Sequence, residues 1–275
     1  MQARLTPLNP EGDRAAALLP HMMTAASRAA ALIASRANER SALEWRVKGH
    51  ADFVSDVDTS AERLIRETLA ELVAGASVMG EELSPETAPG AGVHFIVDPL
   101  DGTTNFLHGY PEYAVSIALV LDGVLSAGVV QNAATGELFT ASIGAGARRD
   151  GVPIAVSSNT DPARALIGTG FPFRSFAHVE RYLRQFEAVS RVTSGIRRAG
   201  SAALDLCDVA SGRFDGFWEL ELSPWDFSAG VLIIREAGGI VTTVDGTDVP
   251  YAPSSIVAGS PALHSWLLQR LQESA

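Results

Sequence analysis

A chain of 275 residues with 47% hydrophobic and only 19% charged residues has the composition of a folded protein with a sizeable core and excludes a disordered one. Its net charge of −11 argues against a nucleic-acid partner held by phosphate neutralisation, and its single cysteine, Cys207, excludes an intramolecular disulfide and fits a reducing compartment. No stretch reaches the roughly 18 uninterrupted apolar residues of a membrane span and no secretory pattern opens the chain, so a cytoplasmic protein without a membrane partner is expected.

Residues 1–12, with Pro, Asn and Gly, read as loose, and an Ala-rich amphipathic helix is predicted from about His21 to Arg40, with Met22, Ala26, Ala29, Ile33 and Ala37 at helical spacing. A strand follows over Leu43 to Lys48, turned by Gly49 and His50. Asp52, Asp56 and Asp58 then place three acids in seven residues. A calcium loop starting at Asp56 fails because Ala61 stands where the sharp turn needs Gly, and because Ala61, Leu64, Ile65, Leu69 and Leu72 form a helix face through it. Thr59 with Glu62 reads as a capping box opening that helix. Ser77 to Met79 is a short strand ending at Gly80-Glu81-Glu82.

The apolar run Val93 to Val97 reads as a buried strand, and Asp98-Pro99-Leu100-Asp101-Gly102-Thr103-Thr104-Asn105-Phe106 follows at its exit. Two carboxylates there stand beside a Gly able to adopt unusual backbone angles and two Thr suited to opening a helix, which suits a divalent cation bridging to a phosphate. Read alone, the same acids serve as an Asx-type cap. Strands over Tyr113 to Leu121 and Leu125 to Gln131 are joined by Asp122-Gly123, and Glu137 to Ser142 and Ala147 to Val156 continue the meander with a second turn at Asp150-Gly151.

The polar run from Ser157 to Ala163 marks a boundary between an N-terminal α+β half (1–157) and a C-terminal α/β half (158–275) packed as one compact unit. Beyond it, Ala165 to Gly170 reads as a strand, Phe176 to Ser190 as a helix and Val192 to Arg197 as a strand. Arg197, Gly200, Ser201 and Ala202 precede and open a helix running to about Ser211, where small residues expose backbone N–H groups to a phosphate or sugar. Glu219 and Asp226 lie seven residues apart, and Pro224 to Gly230 opens an apolar helix closing at Gly238-Gly239, which Asp226, read alone, simply caps. Ile240 to Thr243 and Ile256 to Gly259 read as strands, and Ala262 to Gln272 as a terminal helix. The chain carries no GxxxxGK[ST] or GxSxG motif and no HExxH-type spacing, and the oxygen donors available favour magnesium or manganese over zinc.

The Asp98 to Phe106 string closely resembles the signature of the inositol monophosphatase family of metal-dependent phosphatases. Lys48 to Asp58, Gly80-Glu81-Glu82, Gly200 to Ala203 and Trp225-Asp226 match further family blocks in consistent order from Lys48 to Gly239. Leu83 departs from the Ser that often follows the Gly-Glu-Glu block. Thr169-Gly170-Phe171-Pro172-Phe173 and the Glu219 to Asp226 stretch fit the bacterial inositol-1-monophosphatase branch.

The resemblance implies a layered αβαβα sandwich, lithium inhibition, a homodimer and magnesium cofactors, about two or three ions per site, with manganese possible. It implies Glu81, Asp98 and the Leu100 carbonyl as ligands of one ion, and Asp98, Asp101 and Asp226 as ligands of a second. It also implies Thr103 orienting water with Glu81, Gly102 and Thr103 amides on the phosphate, and Glu219 with Gly200, Ser201 and Ala202 at the substrate. Lys48 and Asp58 would stand behind the ligands. The expected reaction is hydrolysis of inositol 1-phosphate, with histidinol phosphate, fructose 1,6-bisphosphate and adenosine 3′,5′-bisphosphate as alternatives. A regulatory binding protein retaining the fold is the non-enzyme alternative.

Overall fold

The structure, a computed structural model, describes residues 10–38, 45–49, 52–83, 89–172 and 176–274. Residues 1–9, His50 and Phe173 lie outside the described residues, as does the side chain of Lys48.

Helix α1 (Pro10–Arg36) begins well before the predicted start at His21. Pro10 suits a first helical turn, and the buried face of Met22, Ala26, Ala29 and Ile33 extends upstream to Ala15. Pro20 is tolerated inside the helix, and Thr24 Oγ1 donates to the Pro20 carbonyl at 2.9 Å. Strands β1 (Trp45–Gly49) and β2 (Asp52–Ser55) form an antiparallel pair, and β2 runs straight into α2 (Asp56–Leu72).

The cap of α2 corrects the predicted one. Ser55, not Thr59, is the N-cap residue, and Asp58, not Glu62, completes the box by accepting the Ser55 amide at 2.9 Å. Glu62 takes no part in the cap because it lies fully buried against the loop after the next strand.

A seven-stranded sheet comprises β3 (Ser77–Gly80), β4 (Val93–Asp101), β5 (Ala114–Leu121), β6 (Val124–Asn132), β7 (Leu138–Ser142), β8 (Ala147–Arg149) and β9 (Val152–Pro153) in sequence order. Only β3 and β4 are parallel in it. The Asp-Gly turns at 122–123 and 150–151 have positive φ at both residues, the backbone twist that a two-residue hairpin needs. A five-stranded sheet runs β11 (Gly195–Arg197), β10 (Leu166–Thr169), β12 (Gly216–Leu222), β14 (Ser254–Gly259), β13 (Ile240–Thr242). There β10 is parallel to both neighbours and β14 antiparallel to both of its own.

Helices α1 and α2 cover one face of the larger sheet. Between the sheets lie α5 (Ala202–Ala210) and α6 (Pro224–Glu236), and α4 (Val179–Ser190) packs with α7 (Pro261–Glu273) on the outer face of the smaller sheet. The order is αβαβα, as the resemblance implied. Small residues let the middle layer close: a Cβ on Gly128 of β6 would lie 2.7 Å from the Ala229 carbonyl of α6, and one on Gly230 would lie 2.6 Å from Leu206 Cβ of α5. Among the described residues no helix is long and apolar enough to cross a membrane.

Candidate active site

Where β4 leaves the large sheet, its register against β5 slips by one residue between Asp98 and Asp101. A bulge of this kind re-aims side chains, and both carboxylates reach one cavity of about 370 Å³. Asp98 Oδ1 accepts the Leu100 amide at 2.9 Å, so the Asx-type turn and a functional role coexist. Gly102 follows with φ 89°, and a Cβ there would lie 2.7 Å from the Glu112 carbonyl, so only Gly fits before α3 (Thr103–His108).

Three more segments deliver acids to the same cavity: Glu81 from the end of β3, Glu219 from β12 and Asp226 from the first turn of α6. Asp226 also caps its helix, since its Oδ2 accepts the Ser223 amide at 2.7 Å. Asp101 Oδ2 accepts from Ser201 Oγ at 2.6 Å and from the Ala203 amide at 2.8 Å, which ties the start of α5 to β4. Asn105 Nδ2 adds a second tie, donating to the Glu112 and Ala199 carbonyls at 2.7 and 2.9 Å. The Glu219 carboxylate lies directly over Gly170, where a Cβ would stand 1.7 Å from its Cδ.

Burial, and then the charges of Glu81, Asp101 and Asp226, push Asp98 well above the usual carboxylate range, while the Leu100 amide pulls the other way. That repulsion is what a cation relieves. Among the described residues no three His, Cys, Asp or Glu side chains stand close enough, as placed, to grip one ion. Asp101 and Asp226 each spend an oxygen on α5 and α6 backbone amides instead. The donor set itself, carboxylates and the Leu100 carbonyl at one cavity, has the hard-oxygen chemistry that magnesium and manganese prefer.

Of the remaining sequence-predicted residues, Thr103, Gly102, Leu100, Gly200, Ser201 and Ala202 line the cavity. Asp58 stands just behind it: Thr103 Oγ1 donates to its Oδ1 at 2.8 Å, and burial raises Asp58 against the lowering effect of the Ser55 and Thr103 bonds. Arg197 is not brought into the cavity wall. It is exposed on β11 with Nη1 turned to the Ile196 carbonyl, and Arg198 lines the cavity instead.

Sequence reasoning missed Asp205, Glu221 and Arg198. Asp205 lines the cavity from one turn inside α5, is 2% exposed, and has no hydrogen-bond partner for Oδ1. Burial and the neighbouring charge of Glu219 push it well above the usual range. An acid alone among apolar residues in Ala-Ala-Leu-Asp-Leu-Cys was the available signal. Glu221 has φ 62°, rare without Gly, and pairs with His178 at 3.2 Å beside the cavity. No local pattern announces that angle, because it arises from the slip of β12 against β14 after Glu219.

The match to known proteins covers nearly the whole chain. The model of the inositol monophosphatase family matches residues 15–275. An inositol-1-monophosphatase of Rhizobium meliloti is 44% identical over 257 residues, covering 93% of this chain and 96% of that protein. A protein named putative Nus factor SuhB, from Neisseria meningitidis, is 42% identical over 245 residues, covering 89% and 94%. The crystal structure of extragenic suppressor protein suhB from Bartonella henselae superposes with a TM-score of 0.88 at 39% identity, covering 94% of this chain and all of that one.

Proposed function

Because this chain belongs to the inositol monophosphatase family, we propose that its cavity hydrolyses the monophosphate ester of a small polyol, inositol 1-phosphate first among them, with magnesium as cofactor. The observation that carries this reading is convergence: Glu81, Asp98, Asp101, Thr103, Glu219 and Asp226 arrive from five segments, β4 supplying two of them, at one cavity. Glu81, Asp98, the Leu100 carbonyl, Asp101 and Asp226 would hold the ions. When bound, these supply the positive charge that phosphoryl transfer requires and acidify water.

The chain's own groups do the positioning. Thr103 gives its proton to Asp58 or, at 3.1 Å, to the Leu100 carbonyl, so its oxygen lone pairs remain to accept a hydrogen from the attacking water. Glu81, lining the same cavity, would be the second acceptor for that water. Amides of Gly102 and Thr103 would face the phosphate, and Glu219 would accept substrate hydroxyls. Water adds to phosphorus as the ester P–O bond breaks, and the proton that this water gives up is matched by one that the departing alkoxide takes up from bulk water. No covalent enzyme intermediate is involved. A lithium-sensitive homodimer completes this reading on the strength of the resemblance, and a reducing, cytoplasmic setting on the strength of the single cysteine.

The test is phosphate release from inositol 1-phosphate, histidinol phosphate, fructose 1,6-bisphosphate and adenosine 3′,5′-bisphosphate, with magnesium and with chelator. Magnesium-dependent release dominated by inositol 1-phosphate is the expected outcome, and dominance of another substrate reassigns the leaving group. Identity of 42% to a protein named putative Nus factor favours a second reading, a regulatory binding role. Folded protein that releases no phosphate from any of the four at saturating magnesium leaves that second reading alone.

A further inference from the structure

Glu62 is fully buried on α2, and its carboxylate is spent on the corner that carries Glu81. Its Oε2 accepts the Glu82 amide at 2.7 Å and the Leu83 amide at 3.2 Å. Arg66, one turn further along α2, donates from Nε to Glu62 Oε1 at 2.8 Å and from Nη2 to the Val78 carbonyl of β3 at 3.1 Å. Gly80 makes the approach possible, since a Cβ there would lie 2.1 Å from Glu62 Oε1. On the other side the Glu81 amide donates to the Val97 carbonyl of β4 at 3.3 Å.

Three successive amides, those of Glu81, Glu82 and Leu83, are therefore pinned, one to β4 and two to α2. A buried carboxylate is costly unless it is paired and hydrogen-bonded, and charge-assisted bonds of this kind are the strong ones. A side chain so committed to one corner fixes that corner's geometry. We propose that Glu62 is a positioning residue: by holding the backbone on both sides of the Gly80–Glu82 bend it presents the Glu81 carboxylate to the cavity and sets the affinity of the site for divalent cations. This rests on the reading of Glu81 as a cation ligand.

The test titrates Mn2+ alone into purified protein and follows the free ion by its electron paramagnetic resonance signal, for wild type, Glu62→Gln, Gly80→Ala and Leu69→Ala. Glu62→Gln sets an amide NH2 against backbone donors. Gly80→Ala keeps Glu62 but pushes the end of its side chain off the amides, and it carries the test if Glu62→Gln does not fold. Leu69, buried on the same helix two turns beyond Glu62 and carrying no polar group, is the control for loss of stability alone.

Both corner variants are expected to bind Mn2+ about tenfold or more weakly, the usual effect of losing a group behind a metal ligand. The Mg2+ needed for half-maximal phosphate release should rise by the same factor, with kcat at saturating Mg2+ near that of wild type. Leu69→Ala should lower Tm with metal affinity unchanged. Wild-type Mn2+ binding by folded Gly80→Ala overturns the proposal, and so does an equal loss of affinity in Leu69→Ala. Failure of the wild type to bind Mn2+ at all overturns instead the cation-site reading beneath it.

Discussion

At the scale of single residues, the cavity is shaped as much by what is missing as by its carboxylates. Gly170 leaves room for Glu219, and a Cβ there would stand 1.7 Å from the Glu219 Cδ. Gly170→Ala should displace that carboxylate and lose one charged hydrogen bond to the polyol, about 1.5–3 kcal/mol, or roughly ten- to hundredfold in kcat/KM. Hydrolysis of p-nitrophenyl phosphate, which offers no polyol hydroxyl, should hardly change. An equal loss on both substrates would remove Glu219 from the hydroxyl-binding role. Asp205 leads to a pH prediction. Its native proton affinity is raised by burial, so the folded chain holds a proton that the unfolded chain releases near pH 3.9. Stability from this group is complete below that pH and is lost as pH rises through the raised native value. Asp205→Asn, which cannot ionise, should therefore unfold at higher denaturant than wild type near pH 8, and the gain should vanish near pH 4. A gain independent of pH would assign it to packing. Glu81, Asp98, Asp101, Glu219 and Asp226, which line the cavity, were legible in the sequence because each sits in a short punctuated motif. Arg198 was not, because two adjacent arginines at a strand end differ only in which way the backbone turns.

Elements were legible where punctuation coincided with periodicity. The hairpins at Asp122-Gly123 and Asp150-Gly151, and the helix opened by Pro224, appear where the residues place them. The start of α1 was hidden because Pro10, Gly12 and Pro20 read as breakers, whereas packing of the Ala face from Ala15 onward against the large sheet overrides them. The α2 cap was misplaced by one turn because Ser55 and Thr59 each head a box-like spacing, and only the burial of Glu62 against Glu82 and Leu83 decides between them. The middle layer depends on contacts that no local pattern reports. Leu206 of α5 fills the notch at Gly230 of α6, and these helices bear Asp205 and Asp226 and brace Asp101. Gly230→Val should force the pair apart, costing about 1–3 kcal/mol as overpacking does. It should also lower kcat by more than Leu267→Ala, a core change under the outer layer, at matched loss of stability. Equal kcat in the two would show that the spacing of α5 and α6 does not set the cavity.

On the scale of the whole molecule, the cavity joins parts that sequence alone sets far apart. Glu81, Asp98 and Asp101 hang from the large sheet, whereas Glu219 lies on the smaller one and Asp226 on the helix between them. We read residues 1–157 and 158–275 as halves of one unit, because a single core cluster runs from Ala15 to Ala258 through both. Cations bound between such halves should act as a clamp. The sign is simple: four carboxylates repel at one place, and burial together with the charges of Glu81, Asp101 and Asp226 pushes Asp98 well above the usual carboxylate range. An ion that binds only the folded chain stabilises it by mass action, about 2.7 kcal/mol at a hundred times its Kd. For a chain of this size that is a rise in Tm of roughly 5–10 °C between chelator and saturating magnesium. Asp98→Asn removes a proposed cation ligand together with a buried carboxylate, so it should unfold no earlier than wild type in chelator, gain little from magnesium, and lose activity by at least about a hundredfold. Wild-type stabilisation by magnesium in Asp98→Asn would mean that the stabilising ion sits elsewhere, and Asp98 would then have to be explained by its own turn alone.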